Sequence, residues 1–322
     1  MLCQKCNLPV YTGTVMDDGK REISTKHKEL IAQMMQSFNN YWLVNHHLKT
    51  NFEFTWEDYK YITTTEPALL RNTLLNEKMK SMALPIMTDS GERLHVIVEP
   101  FAGCGADTIT FLYNMKPKRI YVCDRDDVRS SLLQKNVTNF EKVVNDKFGS
   151  MTQIIDYYVG ESRGIFDNVA RAGDDISLLY LDPPWKLDRI QGKGYHGEAD
   201  AEQLVMFLIE QVFVPMQKSS LFPKLIVIKS RFGWEELSKV MDKLPKKSDG
   251  TAIYIQTDTI FFTPFENKVY FHTLQTTYCI LHQWKHSVDY DKIYKGHSSH
   301  DRNTGKHGDL DYMRTVLDDE AR

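Results

Sequence analysis

The stretch His95–Met115, HVIVEPFAGCGADTITFLYNM, decides the fold. HVIVEP (His95–Pro100) is continuously apolar through Val96, Ile97 and Val98, the pattern of a strand covered on both faces. In the turn that follows, Gly103 and Gly105 let the backbone bend tightly and lie against a ligand with no side chain between. Asp107 to Met115 then reads as a helix. Strand, glycine turn and helix, in that order, open a doubly wound α/β unit.

The same alternation continues downstream. RIYVCD (Arg119–Asp124), TQIIDYYVG (Thr152–Gly160), ISLLYLD (Ile176–Asp182) and KLIVIKS (Lys224–Ser230) are predicted strands. Val128–Phe140, Ala199–Phe213 and Trp234–Leu244 are predicted helices. AIYIQTDTIFFT (Ala252–Thr263) and VYFHTLQTTYCILHQW (Val269–Trp284) have only PFENK between them, which leaves no room for a helix and predicts an antiparallel β-hairpin. Five parallel strands closed by a hairpin is the arrangement of the Rossmann-like S-adenosylmethionine methyltransferases. The expected fold is therefore α/β, with that sheet in residues 91–285. Residues 1–90 form a helical N-terminal extension, with apolar residues at helical spacing in Ser24–Leu48 and a second helix opened by Thr65-Glu66-Pro67. Residues 286–322 form a polar tail with a short helix near Asp309–Leu317.

Bulk properties narrow the class further. The chain has 322 residues, 42% hydrophobic and 26% charged, with net charge −3, so any nucleic-acid contact rests on a local patch rather than on overall charge. No apolar run is long enough to span a membrane, and MLCQKCNLPVYTG lacks the apolar core of a signal peptide. Five cysteines, an odd number, suit a reducing compartment. The expectation is an intracellular protein, cytoplasmic or nuclear. Cys3-x-x-Cys6 with a distant His27 is half of a zinc pattern without its second half, and His286, His297, His300 and His307 have no metal-site spacing; no metal is expected.

The glycine turn is not a phosphate loop, since the Walker lysine and hydroxyl are missing, and Thr108 stands where G-x-G-x-x-G needs its last glycine. Asp124 at the end of the second strand can accept both hydroxyls of a ribose. Glu99, at the end of the first, would repel a pyrophosphate but suits the ammonium and sulfonium charges of S-adenosyl-L-methionine, which is the expected cofactor. Phe101, Asp107 and Thr108 complete the expected cofactor site. Glu161, after the third strand, either reaches the adenine amine of that cofactor or is an acid placed there without function.

LDPPWK (Leu181–Lys186) ends the fourth strand. Pro183 and Pro184 fix the backbone and keep the neighbouring carbonyls out of a helix. Trp185 adds a rigid π face beside them. Asp182 and a proline carbonyl can accept the two N–H groups of an exocyclic amine whose ring stacks on Trp185, leaving the nitrogen aimed at a methyl donor. Asp182, Pro183, Pro184 and Trp185 are the candidate catalytic residues.

This tetrapeptide, together with the glycine turn, resembles the methyltransferases that act on nucleobase amines. Within that group the chain is most similar to the trimethylguanosine synthase family of RNA cap guanine-N2 methyltransferases, which includes forms coded by large DNA viruses. The resemblance runs from about Tyr41 to Ile228 and rests on FAGCGADTITFL (Phe101–Leu112), on Pro183-Pro184-Trp185 and, more loosely, on YKYITTTEPALL (Tyr59–Leu70). It implies capped RNA as the substrate. Three residues depart from the family: Lys186-Leu187 stand in place of Gly-Gly, and Asp182 in place of serine, the choice typical of adenine-N6 and some viral enzymes. A 7-methylguanine ring is cationic and indole is its best aromatic partner. Lys186, Arg189 and Lys193 would face the cap triphosphate or, alternatively, belong to a solvated loop. An adenine-N6 enzyme on duplex DNA would need a basic groove, and the chain has no basic tract. A third possibility is an inactive methyltransferase-like RNA-binding subunit; the intact glycines and Asp-Pro-Pro-Trp favour an active enzyme.

Overall fold

The computed structural model describes residues 52–54, 68, 71–73, 75–76, 79–80, 95–148, 153–184, 200–230 and 232, with the backbone of 254–262 and 276–283. The helices expected in Ser24–Leu48, Trp234–Leu244 and Asp309–Leu317 lie outside the described residues, as do Cys3, Cys6, His27 and the four tail histidines.

Five strands run parallel: β1 (Val96–Glu99), β2 (Arg119–Asp124), β3 (Ile154–Val159), β4 (Leu178–Leu181) and β5 (Leu225–Ser230). Beyond β5 lie β6 (Tyr254–Phe262) and β7 (Thr276–Gln283), with β7 antiparallel to β5 and β6 antiparallel to β7. The sheet order is β3-β2-β1-β4-β5-β7-β6. From β1 the chain winds to one side through β2 and β3, then returns and winds to the other through β4 and β5. The reversal falls between β1 and β4, and ligands of doubly wound sheets bind at that point, outside the carboxyl ends of the strands.

Alternate strand residues feed two cores. Ile97, Ile120, Val122, Leu178, Tyr180, Leu225 and Val227 face one side, and Val96, Val98, Tyr121, Leu179, Leu181, Ile226 and Ile228 the other. The first side is covered by α1 (Ala106–Thr110, prolonged by a π-turn at Phe111–Met115) and α2 (Asp127–Phe148). Phe52, Phe54, Leu75 and Met79 join that core from within the first 90 residues. The second side is covered by α3 (Arg163–Ala172) and α4 (Ala201–Leu208, prolonged by Ile209–Phe213 and Val214–Lys218). A capping box starts α4: the Gln203 N–H donates to the Asp200 carboxylate at 2.8 Å, and the Asp200 N–H donates to the Gln203 side chain at 2.9 Å.

Three features differ from the sequence reading. Helix α3 was not expected; it buries only Ile165, Phe166 and Val169, and Gly160, Gly164 and Gly173 give its surroundings the look of a loop. Helix α2 runs eight residues past the expected end at Phe140. Strand β3 is not covered on both faces: it is the sheet edge, with Ile154 and Val159 about half exposed (45% and 54%).

Candidate active site

Main-chain bonds tie the glycine turn to the end of β2. The Ala102 N–H donates to the Cys123 carbonyl at 2.8 Å, and the Gly103 N–H to Asp124 Oδ2 at 2.9 Å. The Asp126 N–H donates to Asp124 Oδ1 at 2.9 Å. Each carboxylate oxygen has accepted one bond and can accept another. Burial pushes the Asp124 carboxyl up, while these N–H groups and Arg129 pull it down. On the other flank Asn136 of α2 acts as a clamp: its amide donates to the Cys104 carbonyl at 2.8 Å and to the Glu53 carbonyl at 2.6 Å, and it accepts from the Glu53 N–H at 2.7 Å.

Both glycines are required by conformation, at φ +56° for Gly103 and +91° for Gly105. They differ in surroundings. A Cβ on Gly105 would lie 2.5 Å from Leu133 Cδ1, so this glycine permits helix packing. A Cβ on Gly103 would meet nothing within 4 Å, so beside Asp124 the backbone borders open space. A carboxylate with acceptor capacity beside an unobstructed backbone fits the vicinal hydroxyls of a nucleoside.

The carboxyl ends of β1, β4 and β5 hold a different construction. Arg71 is fully buried; its Nη1 donates to Asp107 Oδ1 at 2.5 Å and to the Tyr180 hydroxyl at 2.8 Å, and its Nη2 to Asn72 Oδ1 at 2.7 Å. The guanidinium also lies 4.6 Å from the ring centroids of both Phe111 and Tyr180. The Tyr180 hydroxyl donates to Asp107 Oδ2 at 3.1 Å. Lys229 of β5, buried to 2% exposure, donates to Asp182 Oδ2 and has its Nζ 3.8 Å from Asp107 Oδ2. Glu99, 1% exposed, accepts from the Thr108 hydroxyl at 2.6 Å.

Three carboxyls thus share two cations, Arg71 and Lys229. Glu99 makes no direct ion pair among the described residues, and burial, then the Asp107 charge, push its carboxyl well above the usual range. The Asp182 carboxyl is pushed up to about 6 by burial, against the pull of Lys229. Buried ionic groups are a poor means of stabilising a core, and groups displaced so far from their ordinary titration concentrate at functional sites.

Asp182 follows β4 at the switch point, about a fifth of its side chain exposed, with Pro183 buried and Pro184 half-buried. Trp185, Lys186, Arg189 and Lys193 lie outside the described residues. Phe101 is half-buried, its ring 5.5 Å from that of Phe207. Glu161 is exposed just beyond Gly160, whose N–H donates to the Asp124 carbonyl at 3.1 Å. Asp107 and Thr108 sit in the buried cluster, with Asp107 turned to Arg71 rather than to the turn. Cys104 is buried and in no disulfide. Sequence reasoning missed Arg71, Asn136 and Lys229. Lys229 left one signal, a charge at the end of the apolar run LIVI.

No family model matches this chain, and no curated protein sequence matches it. Solved structures do. The human methyltransferase 10 domain-containing protein is 10% identical, covers 78% of this chain and 97% of its own, and superposes with a TM-score of 0.50. The likeness is one of fold. Looser ones include NSun6 of Pyrococcus horikoshii, solved with SFG, at 14% identity, coverage of 68% of this chain and 52% of its own, and TM-score 0.39. The precorrin-6y C5,15-methyltransferase of Geobacter metallireducens has 14% identity, coverage of 69% and 88%, and TM-score 0.38. Among the described residues no helix is long and apolar enough to cross a membrane, and no cluster of His, Cys, Asp or Glu has the geometry to hold a metal.

Proposed function

We propose that the chain is an S-adenosyl-L-methionine-dependent methyltransferase acting on the exocyclic amine of a nucleobase, with the guanine N2 of a 7-methylguanosine RNA cap as the substrate. The observation that carries this reading is Asp182: the carboxylate of an Asp-Pro-Pro-Trp sequence, at the carboxyl end of β4, beside the switch point and gripped by Lys229. The human methyltransferase fold agrees with it.

In this reading Asp124 accepts the ribose hydroxyls, and the open backbone at Gly103 lets the nucleoside approach. Glu99 stands where a cationic methionine moiety would compensate the excess of carboxyls. The cofactor supplies an activated methyl group on a sulfonium. Asp182 accepts an N–H of the substrate amine and turns the nitrogen toward that group, and alignment of this kind supplies much of the rate. Trp185 stacks on the base, and Lys186 and Arg189 meet the phosphates. Phe52, Phe54, Leu75 and Met79, from the expected N-terminal extension, share the core of this same body.

A second reading, adenine-N6 transfer, is favoured by one residue: an aspartate at position 182, where the cap family has serine. The test offers S-adenosylmethionine carrying a labelled methyl group, in parallel, to 7-methylguanosine-capped RNA, the same RNA uncapped, and adenine-containing DNA. The cap reading expects label in the capped RNA alone, at guanine N2. Label at adenine N6 would replace it with the second reading, and no transfer to any of the three would reject both.

A further inference from the structure

Lysine is an expensive residue at position 229. It occupies an inner strand between Ile228 and Ser230, both fully buried, and desolvating its ammonium carries a cost that a methionine of similar volume would avoid. The register explains its aim. Leu181 pairs with Ile228, so the residues one step on, Asp182 and Lys229, leave adjacent strands at one level. Both continue the alternation that places Tyr180 and Val227 under α1, so both side chains emerge beside Asp107.

We infer that Lys229 is a positioning residue for methyl transfer, acting through Asp182, whose carboxylate it anchors at the mouth of the crevice. The inference rests on the proposed function and deepens it. The charges around Asp182 come from four directions: Lys229 on β5 attracts, Asp107 on α1 repels, Arg71 from the N-terminal segment attracts, and Glu99 on β1 repels. Lys229 alone bonds it directly among the described residues. Its ammonium does two things. It fixes one carboxylate oxygen, leaving the other to accept from the substrate amine. It also keeps the group ionised where burial and Asp107 would protonate it, and a protonated Asp182 would have one acceptor fewer. The sign follows: with Lys229 gone, the carboxyl titrates above its present value of about 6, and turnover at neutral pH is lost while turnover at higher pH is retained.

The experiment has two readouts. The first is the carbon-13 titration of the Asp182 carboxyl, assigned with Asp182→Asn. Lys229→Met is expected to raise the midpoint by ~1–3 pH units, the effect of an opposite charge at contact distance, and Lys229→Arg to leave it near wild type. The second is the pH profile of kcat. Lys229→Met is expected to lower kcat ~2–100-fold at neutral pH, as a shift of ~1–3 units from about 6 dictates, to recover as pH rises, and to leave KM for S-adenosylmethionine unchanged. Lys229→Gln serves the same comparison if methionine prevents folding. An unmoved Asp182 midpoint, or a loss of kcat equal at every pH, would overturn the role of Lys229. A wild-type protein that transfers no methyl group would overturn the reading of the site itself, a separate result.

Discussion

On the β1–β2 side of the crevice, Asp124 is held by main-chain N–H groups of Gly103 and Asp126, from 21 and 2 residues away. On the β4–β5 side, Asp182 is held by the side chain of Lys229, 47 residues on, within a cluster whose Arg71 reaches Asp107 and Tyr180 across 36 and 109 residues. Backbone donors are part of the turn and stay in place whatever the side chains do. A side-chain cluster of charges has to be complete: each member is buried at a cost that only its partners offset. The first side is robust and open to a ligand. The second is costly and interdependent, and the proposed transfer is assigned to it.

The largest effect expected from that contrast is on stability. Asp107→Ala strands the buried Arg71 guanidinium and should cost ~3–5 kcal/mol, whereas Asp124→Ala, whose donors can turn to water, should cost under about 1 kcal/mol. Urea unfolding of the two variants measures the difference, and equal losses would abolish the distinction between the two sides. Next comes turnover. Asp182→Ala should lower kcat at least about tenfold while cofactor affinity changes less than about threefold, a loss confined to the transition state. The wild-type rate should fall on the acid side with a midpoint near the Asp182 value of about 6, because the proposed role requires its ionised form. A flat profile from pH 5 to 8 would remove Asp182 from that role. A smaller effect separates the two glycines. Gly105→Ala meets Leu133 and adopts a strained φ, while Gly103→Ala meets open space and bears only the dihedral penalty of ~1–2 kcal/mol. Unfolding should therefore rank Gly105→Ala as the less stable, and cofactor titration should rank Gly103→Ala as the weaker binder.

The same contrast explains what could be read from the chain. Strands β1, β2, β4 and β5 are runs of buried apolar residues, and the local code of such runs is strong. Gly103, Gly105, Asp124 and Asp182 sit at strand ends, where position alone implies a role. Arg71 and Asn136 carry no such mark: one arginine and one asparagine on helical segments meet their buried partners, Asp107 and Tyr180 for the first and the Cys104 carbonyl for the second, only when the chain folds. Lys229 was half legible. Its place two residues beyond Val227 puts it on the α1 face, but the partner that makes this sensible lies on another strand. Helix α3 escaped notice because its glycines outweighed three buried apolar residues. The exposure of β3 follows from strand order, which alternation cannot supply.

The central claim is that the open space beside Gly103 and Asp124 takes the nucleoside of S-adenosylmethionine. Calorimetric titration of wild type and Asp124→Ala with S-adenosylmethionine tests it most directly. The account predicts saturable binding by wild type, weakened ~10–100-fold in a folded Asp124→Ala, the loss of a charged acceptor worth ~1.5–3 kcal/mol. Equal affinity in the two proteins, or no binding by wild type, would contradict it.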